Sequence, residues 1–266
     1  MKHQYVGDIN DYRKYALLRV LSAGGAIRIG VCWMLTPSDG SSDGEKRRYL
    51  EQPERYRRFD PELFDELSLV SPEPDRRRLE SIEQSGIVPG ATYFNAVLTD
   101  AADERMRFMA DCRRELANAD LVFFDPDNGL ETTLHRGRKG SSKFLYLDEA
   151  AAFYAAGKSL LIYQHFPREK REAFIASCAA RLYAVAPAAT LCAFRTAHVV
   201  FLLLNHPESP AALTEAAQLA STKWSAKARA SAKWHREDFI LGSFIPSLTH
   251  NPLAALLAEL DDDTAE

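Results

Sequence analysis

One apolar run ends directly in a cluster of polar residues, and this transition constrains what the chain can fold into. Leu121–Phe124 is apolar throughout and lacks the polar alternation of a strand that faces solvent on one side. The run therefore predicts a strand buried on both faces, as in a parallel sheet covered by helices. The segment Asp125–Gly129 follows at once and contributes two carboxylates and an amide.

This polar segment has two interpretations. Asp, Pro, Asn and Gly all form turns, so the segment could serve only to reverse the chain. Ligands, however, bind beyond the carboxyl ends of strands in open α/β sheets. Carboxylates beside a buried strand are costly to desolvate without partners, which a turn alone does not explain. We therefore predict Asp125, Asp127 and Asn128 as catalytic residues.

Strand and helix patterns alternate along the chain. Strands are predicted at 27–35, 91–98, 121–124, 159–165, 190–194 and 199–204, and helices at 11–22, 61–69, 75–84, 102–116, 147–156 and 168–183. Four residues separate the last two strands, which is short enough for a hairpin. The fold class predicted is α/β, a Rossmann-like three-layer α/β/α sandwich with a mainly parallel sheet and a terminal antiparallel hairpin strand.

Composition sets wider bounds. No long linker divides the chain, so a single domain is expected over 1–260, followed by an acidic, disordered tail at 261–266. The net charge of -4 argues against a generally basic surface for nucleic acid. No run approaches the ~20 apolar residues that span a bilayer, and the four cysteines form no C-x-x-C pair. We expect a cytoplasmic protein without membrane partners.

A second group of polar residues ends the strand at 159–165. His165 is expected at the same sheet edge as Asp125 and Asp127, where it could be a general base, a general acid or a ligand. The alternative is that His165 only caps the next helix. Gln164 is predicted to bind a base edge, and Arg168 a phosphate or carboxylate.

Basic residues follow the acidic motif in the loop 135–143. Predicted phosphate contacts are Arg136, Arg138, Lys139 and Lys143. A solvated surface loop is the alternative. Farther on, a basic stretch contains Trp224 and Trp234, which could lie on nucleic acid but are more typical of packing against the domain.

Two segments carry a resemblance to a known group. Tyr5–Leu18 resembles the N-terminal signature of S-adenosylmethionine-dependent methyltransferases that include the J-type ribosomal RNA adenine-N6 methyltransferases and the three-Cys-motif partner proteins. The resemblance implies that S-adenosylmethionine is the cofactor and that Asp8, Asp11 and Lys14 lie near it. Asp125–Asn128 is similar to the Asp-Pro-Pro-Tyr motif of adenine-N6 methyltransferases, in which the acid and a backbone carbonyl hold the amine of a flipped base.

The sequence also departs from these patterns. Asn128 stands where the motif has its aromatic residue, so a stacking ring would have to come from Tyr163 or Phe166. The loop after the first strand has no G-x-G element and carries Asp43. Three interpretations of Asp43 stay open: a partner for cofactor ribose hydroxyls, a ligand for Mg²⁺ or Mn²⁺ together with Asp125 and Asp127, or a turn residue.

These observations give three hypotheses. The leading one is S-adenosylmethionine-dependent methyl transfer to a base amine of a nucleic acid or nucleotide, with Asp125 and Asn128 orienting the amine and Asp127 shaping the pocket. The second is a metal-dependent nuclease or phosphodiesterase that uses Asp43, Asp125, Asp127 and His165. The third is a module that binds nucleic acid or protein without catalysis.

Overall fold

The computed structural model describes residues 1–37, 44–71, 77–229 and 240–245. Its strands are β1 (Ile29–Cys32), β2 (Thr92–Phe94), β3 (Leu121–Phe124), β4 (Gly129–Leu130), β5 (Phe144–Leu145), β6 (Ser159–His165), β7 (Thr190–Arg195), β8 (Val199–Asn205) and β9 (Leu241–Ile245). Every residue of β1 and β3 is buried, which is the burial expected of strands covered on both faces.

Seven of these strands form one sheet in the order β2-β1-β3-β6-β8-β7-β9, and β4 pairs with β5 separately. The neighbours from β2 to β6 are parallel, whereas β8 runs antiparallel to both β6 and β7. The predicted α/β three-layer sandwich, with a parallel sheet and an antiparallel hairpin at its end, is confirmed. β9 adds a further antiparallel strand beside β7.

Helices cover both faces of the sheet. They are α1 (Ile9–Leu21), α2 (Pro53–Tyr56), α3 (Pro61–Val70), α4 (Leu79–Ser85), α5 (Ala102–Glu115), α6 (Leu147–Ala155), α7 (Arg171–Val185) and α8 (Ala211–Arg229). Apolar residues of α1, α3, α4 and α8 pack in one core cluster, and those of α5, α6 and α7 in the other. None of the helices within the described ranges is long and apolar enough to span a membrane.

The strand order places a topological switch point between β1 and β3. The chain leaves β1 for β2 on one side and later returns to β3 on the other side. A crevice therefore opens beyond the carboxyl ends of β1 and β3, the usual place for ligands in this class of fold. Asp125, the first residue after β3, donates its backbone N–H to the carbonyl of Cys32 at the end of β1 (3.1 Å).

The end of β1 differs from the sequence prediction, and the structure describes only part of the residues beyond the main sheet. β1 ends earlier than predicted because Met34 has a φ of 46°, which is outside the extended region. Trp224 is buried against the core on α8, as the packing interpretation expects. Asp43, Trp234 and the tail at 261–266 lie outside the described residues.

Candidate functional site

A polar cavity of about 380 Å³ lies at the carboxyl ends of β3 and β6. Its walls are formed by the first residues of the chain, the start of α1, the loop after β3 and the end of β6. The volume lies within the range of roughly 300–1,000 Å³ that is usual for small-molecule pockets. Of the residues predicted for the site, those lining this cavity are Asp8, Asp11, Lys14, Asp125, Asp127, Asn128, Lys143 and His165.

Lys14 bridges two carboxylates at the inner end of the cavity. Its Nζ lies 2.8 Å from Oδ1 of Asp11 and 2.6 Å from Oδ2 of Asp125, and all three side chains are buried. Asp11 and Lys14 are one turn apart in α1, so the helix brings both to the end of β3. Lys14 therefore holds the carboxylate of Asp125 in place, and its predicted contact with a cofactor stays a prediction.

Aromatic rings surround the same ammonium group. The ring centroids of Tyr15, Trp33 and Tyr163 lie 5.7, 5.8 and 5.5 Å from Lys14 Nζ. These rings exclude water and add cation–π attraction, so they strengthen the ion pairs inside them. The ammonium is therefore held by two carboxylates and bordered by three aromatic rings.

Burial and charge shift the pKa values within this group in known directions. Burial raises the pKa of Asp11 to about 6, although the ammonium of Lys14 opposes the shift. Burial on its own would lower the pKa of Lys14, but the carboxylates of Asp11 and Asp125 outweigh it and raise that pKa above its ordinary value. Lys14 is consequently a permanent cation at neutral pH.

Asp125 keeps one free acceptor in the cavity. Its Oδ2 accepts from Lys14, whereas Oδ1 has no hydrogen-bond partner among the described residues. The side chain is 4% exposed and lines the cavity. A carboxylate oxygen held in this way can accept an N–H or O–H from a ligand.

The amino group of Met1 lies between the ends of β1 and β3. It is 2.7 Å from Oδ1 of Asp127 and donates to the carbonyl oxygens of Asp125 (2.9 Å) and Met34 (3.3 Å). Met34 is one of two described non-glycine residues with positive φ, a conformation that costs free energy and is concentrated at functional sites. A charged group of the chain itself therefore lies at the switch point and lines the cavity.

Asp127 is ionised and forms ion pairs with the first two residues of the chain. Burial would raise its pKa, but the Met1 ammonium and Lys2 lower it below the ordinary value. Lys2 Nζ lies 3.6 Å from Oδ2, and the hydroxyl of Thr36 donates to the same oxygen at 3.0 Å. Asp127 therefore anchors the first residues of the chain against the loop after β3.

The proposed metal set fits this geometry less well. Within the described ranges, no group of three or more His, Cys, Asp or Glu residues is placed to hold a metal ion. Asp125 and Asp127 each have an ammonium nitrogen within 2.7 Å. Their negative charge is already compensated by the protein, and Asp43 is not among the described residues.

His165 lies at the rim of the cavity beside Tyr163. The tyrosine hydroxyl and Nε2 of His165 are 3.2 Å apart. Desolvation lowers the pKa of His165, and the carboxylates of Asp125 and Asp127 offset this only in part. The imidazole is neutral at pH 7 and can accept a proton.

Of the two rings considered for stacking, Tyr163 lines the cavity, while Phe166 lines two neighbouring grooves.

Gln164 holds the loop after β3 instead of facing the cavity. Its Nε2 donates to the carbonyls of Asn128 (3.1 Å) and His165 (2.9 Å), and its Oε1 accepts from the N–H of Leu130 (2.7 Å). Both polar ends of the amide are engaged in holding this loop, and the predicted contact with a base edge stays a prediction. The side chain of Asn128 lines the cavity and has no hydrogen bond within the described ranges.

Most of the predicted phosphate contacts lie away from the cavity. Arg136 stacks on Tyr146, with its guanidinium carbon 4.1 Å from the ring centroid, and pairs with Asp148. Arg138 and Lys139 are exposed outside the cavity, and Arg168 lines the groove next to His165. Only Lys143 of this set reaches the cavity wall.

Sequence reasoning missed several lining residues. Met1, Lys2 and Lys46 all line the cavity, and none of them belongs to a motif with a known spacing.

No protein-family model, curated protein or solved structure matches this chain. What the fold and the cavity define together is an α/β three-layer protein with a polar, ion-paired site at the edge of its parallel strands.

Proposed function

We propose that this protein is an S-adenosylmethionine-dependent methyltransferase that acts on the exocyclic amine of a base in a nucleic acid or nucleotide. The observation that carries the proposal is the state of Asp125. It follows a central buried strand, one of its oxygens is held by Lys14, and the other is a free acceptor in a ligand-sized cavity.

The lining residues are chemically suited to a nucleoside cofactor. The carboxylate of Asp8 caps α1 through the N–H of Asn10 and still has lone pairs for ribose hydroxyls. The ring of Tyr5 lines the same cavity and offers an aromatic face to an adenine. Asp11 and Lys14, also implied by the resemblance, line the same cavity and hold Asp125.

Each free group has a role in amine methylation. Oδ1 of Asp125 accepts an amine N–H, which directs the nitrogen lone pair away from the carboxylate. The side-chain amide of Asn128 can pair with the ring edge of the base, since it has both a donor and an acceptor. S-adenosylmethionine, when bound, supplies an electrophilic methyl group. The nitrogen loses one proton after methylation, and the neutral imidazole of His165 is available at the rim to accept it.

The ammonium of Lys14 explains how Asp125 is kept ready. It prevents rotation of the carboxylate, so Oδ1 is presented to the cavity in one orientation. Such preorganisation removes the free-energy cost of reorienting the group during the reaction.

Titration with S-adenosylhomocysteine tests the proposal directly. Isothermal titration of metal-stripped protein should show micromolar binding, and tritiated S-adenosylmethionine should label RNA, DNA or nucleotides. Asp125→Asn should retain the S-adenosylhomocysteine affinity and lose methyl transfer by at least ~100-fold, in the range typical for removing one preorganised group. Arg107→Ala, an exposed change on α5, is the matched control.

A different result would identify another function. Absence of S-adenosylhomocysteine binding would overturn the methyltransferase proposal. A one-site isotherm for Mg²⁺ or Mn²⁺ that disappears in Asp125→Asn would favour a metal-dependent phosphodiesterase instead.

A further inference from the structure

The charges around the cavity differ between its interior and its mouth. The interior carboxylates are compensated within the protein: Asp11 and Asp125 by Lys14, and Asp127 by the Met1 amino group and Lys2. Two further lysines, Lys46 and Lys143, line the cavity and have no carboxylate partner within the ranges that the structure describes. With Asp8 counted as well, five cationic groups line the cavity against four carboxylates, so one positive charge is in excess.

Both of these lysines have fixed backbones. The N–H of Lys46 donates to Oδ2 of Asp8 at 3.2 Å, and its carbonyl accepts from Ile9 at 3.1 Å. The carbonyl of Lys143 accepts from the N–H of Asn128 at 2.9 Å. The backbone of each lysine is thus fixed in the wall, while its ammonium group stays available to a ligand.

The environment inside the mouth is suited to a different kind of group. Asn128 and Oδ1 of Asp125 offer neutral and anionic hydrogen-bonding atoms there, next to the ring of Tyr163. A ligand that complements this part of the cavity has a flat hydrogen-bonding part inside and an anionic part outside. A nucleotide has this polarity.

We propose that Lys46 and Lys143 form a phosphate subsite at the mouth, so that the substrate enters as a phosphate-bearing nucleotide unit with its base inside. The assignment of the base rests on the proposed function, but the phosphate subsite rests on the two lysines alone. Lysine binds phosphate as a compact point charge, and two such charges at one opening attract an anion from solution.

The phosphate could belong to a free nucleotide or to a nucleic-acid strand. A separate groove begins at Phe166, next to His165 in sequence. It is lined by Arg168 and Lys170, both exposed and without an ion-pair partner in the described part of the chain, and by Glu169 between them. A strand would place its neighbouring phosphates along this groove, whereas a free nucleotide would not reach it. The two sources therefore differ in which side chains they require.

The test compares adenosine with adenosine 5′-monophosphate by isothermal titration at low salt. The monophosphate should bind at least ~10-fold more tightly, a difference of about 1.4 kcal/mol. The double variant Lys46→Ala/Lys143→Ala should remove that difference and leave adenosine affinity unchanged, while Arg107→Ala should retain it. Circular dichroism checks that the variants are folded.

Equal affinities for the two ligands would overturn the phosphate subsite. So would an absence of binding by both ligands. The subsite would also be overturned if the double variant still bound the monophosphate more tightly than adenosine. A ten-nucleotide adenosine strand then separates the sources. If Arg168→Ala/Lys170→Ala weakens the strand by at least ~10-fold and leaves the monophosphate unaffected, the subsite serves a strand. If the strand binds no more tightly than the monophosphate, it serves a free nucleotide.

Failure of the two proposals can be told apart. Lysine-dependent binding of the monophosphate without S-adenosylhomocysteine binding would retain the phosphate subsite and remove the methyltransferase. Methyl transfer that is indifferent to Lys46→Ala/Lys143→Ala would do the reverse.

Discussion

Lys14 Nζ lies 2.6 Å from Oδ2 of Asp125, across 111 residues of sequence, and both side chains are almost completely buried. This contact joins α1 to the end of β3 and makes the geometry of the candidate site depend on the first helix. Asp11 shares the same ammonium, so neither carboxylate is left without a cation.

Replacing Lys14 with methionine should destabilise the fold strongly. The variant keeps much of the side-chain volume but leaves two buried carboxylates uncompensated. Removing one partner of a buried ion pair costs about 3–5 kcal/mol. Urea unfolding followed by circular dichroism measures the change. Lys139→Met, at an exposed position, should stay within about 0.5 kcal/mol of the wild type. A loss below ~1 kcal/mol for Lys14→Met would show that Lys14 and Asp125 do not form a buried ion pair.

Asp11 should make stability depend on pH in a defined window. Its pKa is raised from 3.8 in the unfolded chain to about 6 in the folded protein. The folded state therefore binds the proton more tightly, so the contribution of Asp11 to stability is largest below pH 3.8 and decreases as the pH rises to about 6. Above that window the contribution is constant.

The matched variant for this prediction is Asp11→Asn, which cannot titrate at this position. The free energy of unfolding of the wild type, taken relative to Asp11→Asn, should fall as the pH rises through the window. Other carboxylates titrate in both proteins and cancel in the difference. A relative stability that rises with pH would mean that the Lys14 ammonium, and not burial, dominates the pKa of Asp11.

A glycine fixes the loop that presents Asn128. Gly129 has a φ of 104°, and a Cβ placed there would lie 2.2–2.4 Å from the side-chain amide of Gln164. Gly140 has a similar φ of 86° but open space around it. Gly140→Ala should therefore cost only the backbone strain, about 1–2 kcal/mol. Gly129→Ala should cost distinctly more and displace Asn128, as measured by urea unfolding and by the shift of the Asn128 amide resonance. Equal losses for the two variants would contradict the close contact.

The parallel strands could be predicted from the sequence because the buried ones are plain apolar runs. The predicted strand at 159–165 coincides with β6, and that at 121–124 with β3. Their neighbouring positions in the sheet bring His165 to the same edge as Asp125, as predicted. Local pattern was sufficient here because burial on both faces leaves little choice of residue type.

Other parts of the site depend on contacts that no local pattern encodes. The partners of Lys14 are set by how α1 lies on the sheet, and the position of the Met1 amino group is set by carbonyls at the ends of two strands. β9 was missed because Leu241–Ile245 is short and contains Gly and Ser, and it forms by pairing with β7. The role of Gln164 in holding the loop also required the folded geometry.

Arg105, on α5, anchors the loop that carries Lys143. Its Nε and Nη2 bind the two oxygens of Glu149 at 2.6 and 2.7 Å, and its guanidinium donates to the carbonyls of Ser141 and Phe144. These carbonyls flank Lys143 in sequence. Arg105 is 1% exposed, so the ion pair is buried.

Arg105→Met should act on both stability and ligand binding. Loss of the guanidinium leaves Glu149, within the described ranges, with only the more exposed Arg136 as a cation, 3.5 Å away, and should cost about 3–5 kcal/mol. It should also weaken binding of adenosine 5′-monophosphate relative to adenosine, because the backbone of Lys143 is no longer held. Arg136→Ala removes the outer cation and should cost about 1 kcal/mol or less without changing that ratio. Urea unfolding and isothermal titration of the folded variants measure both effects. If Arg105→Met lowers stability but leaves the ratio of the two affinities unchanged, the position of Lys143 does not depend on this ion pair.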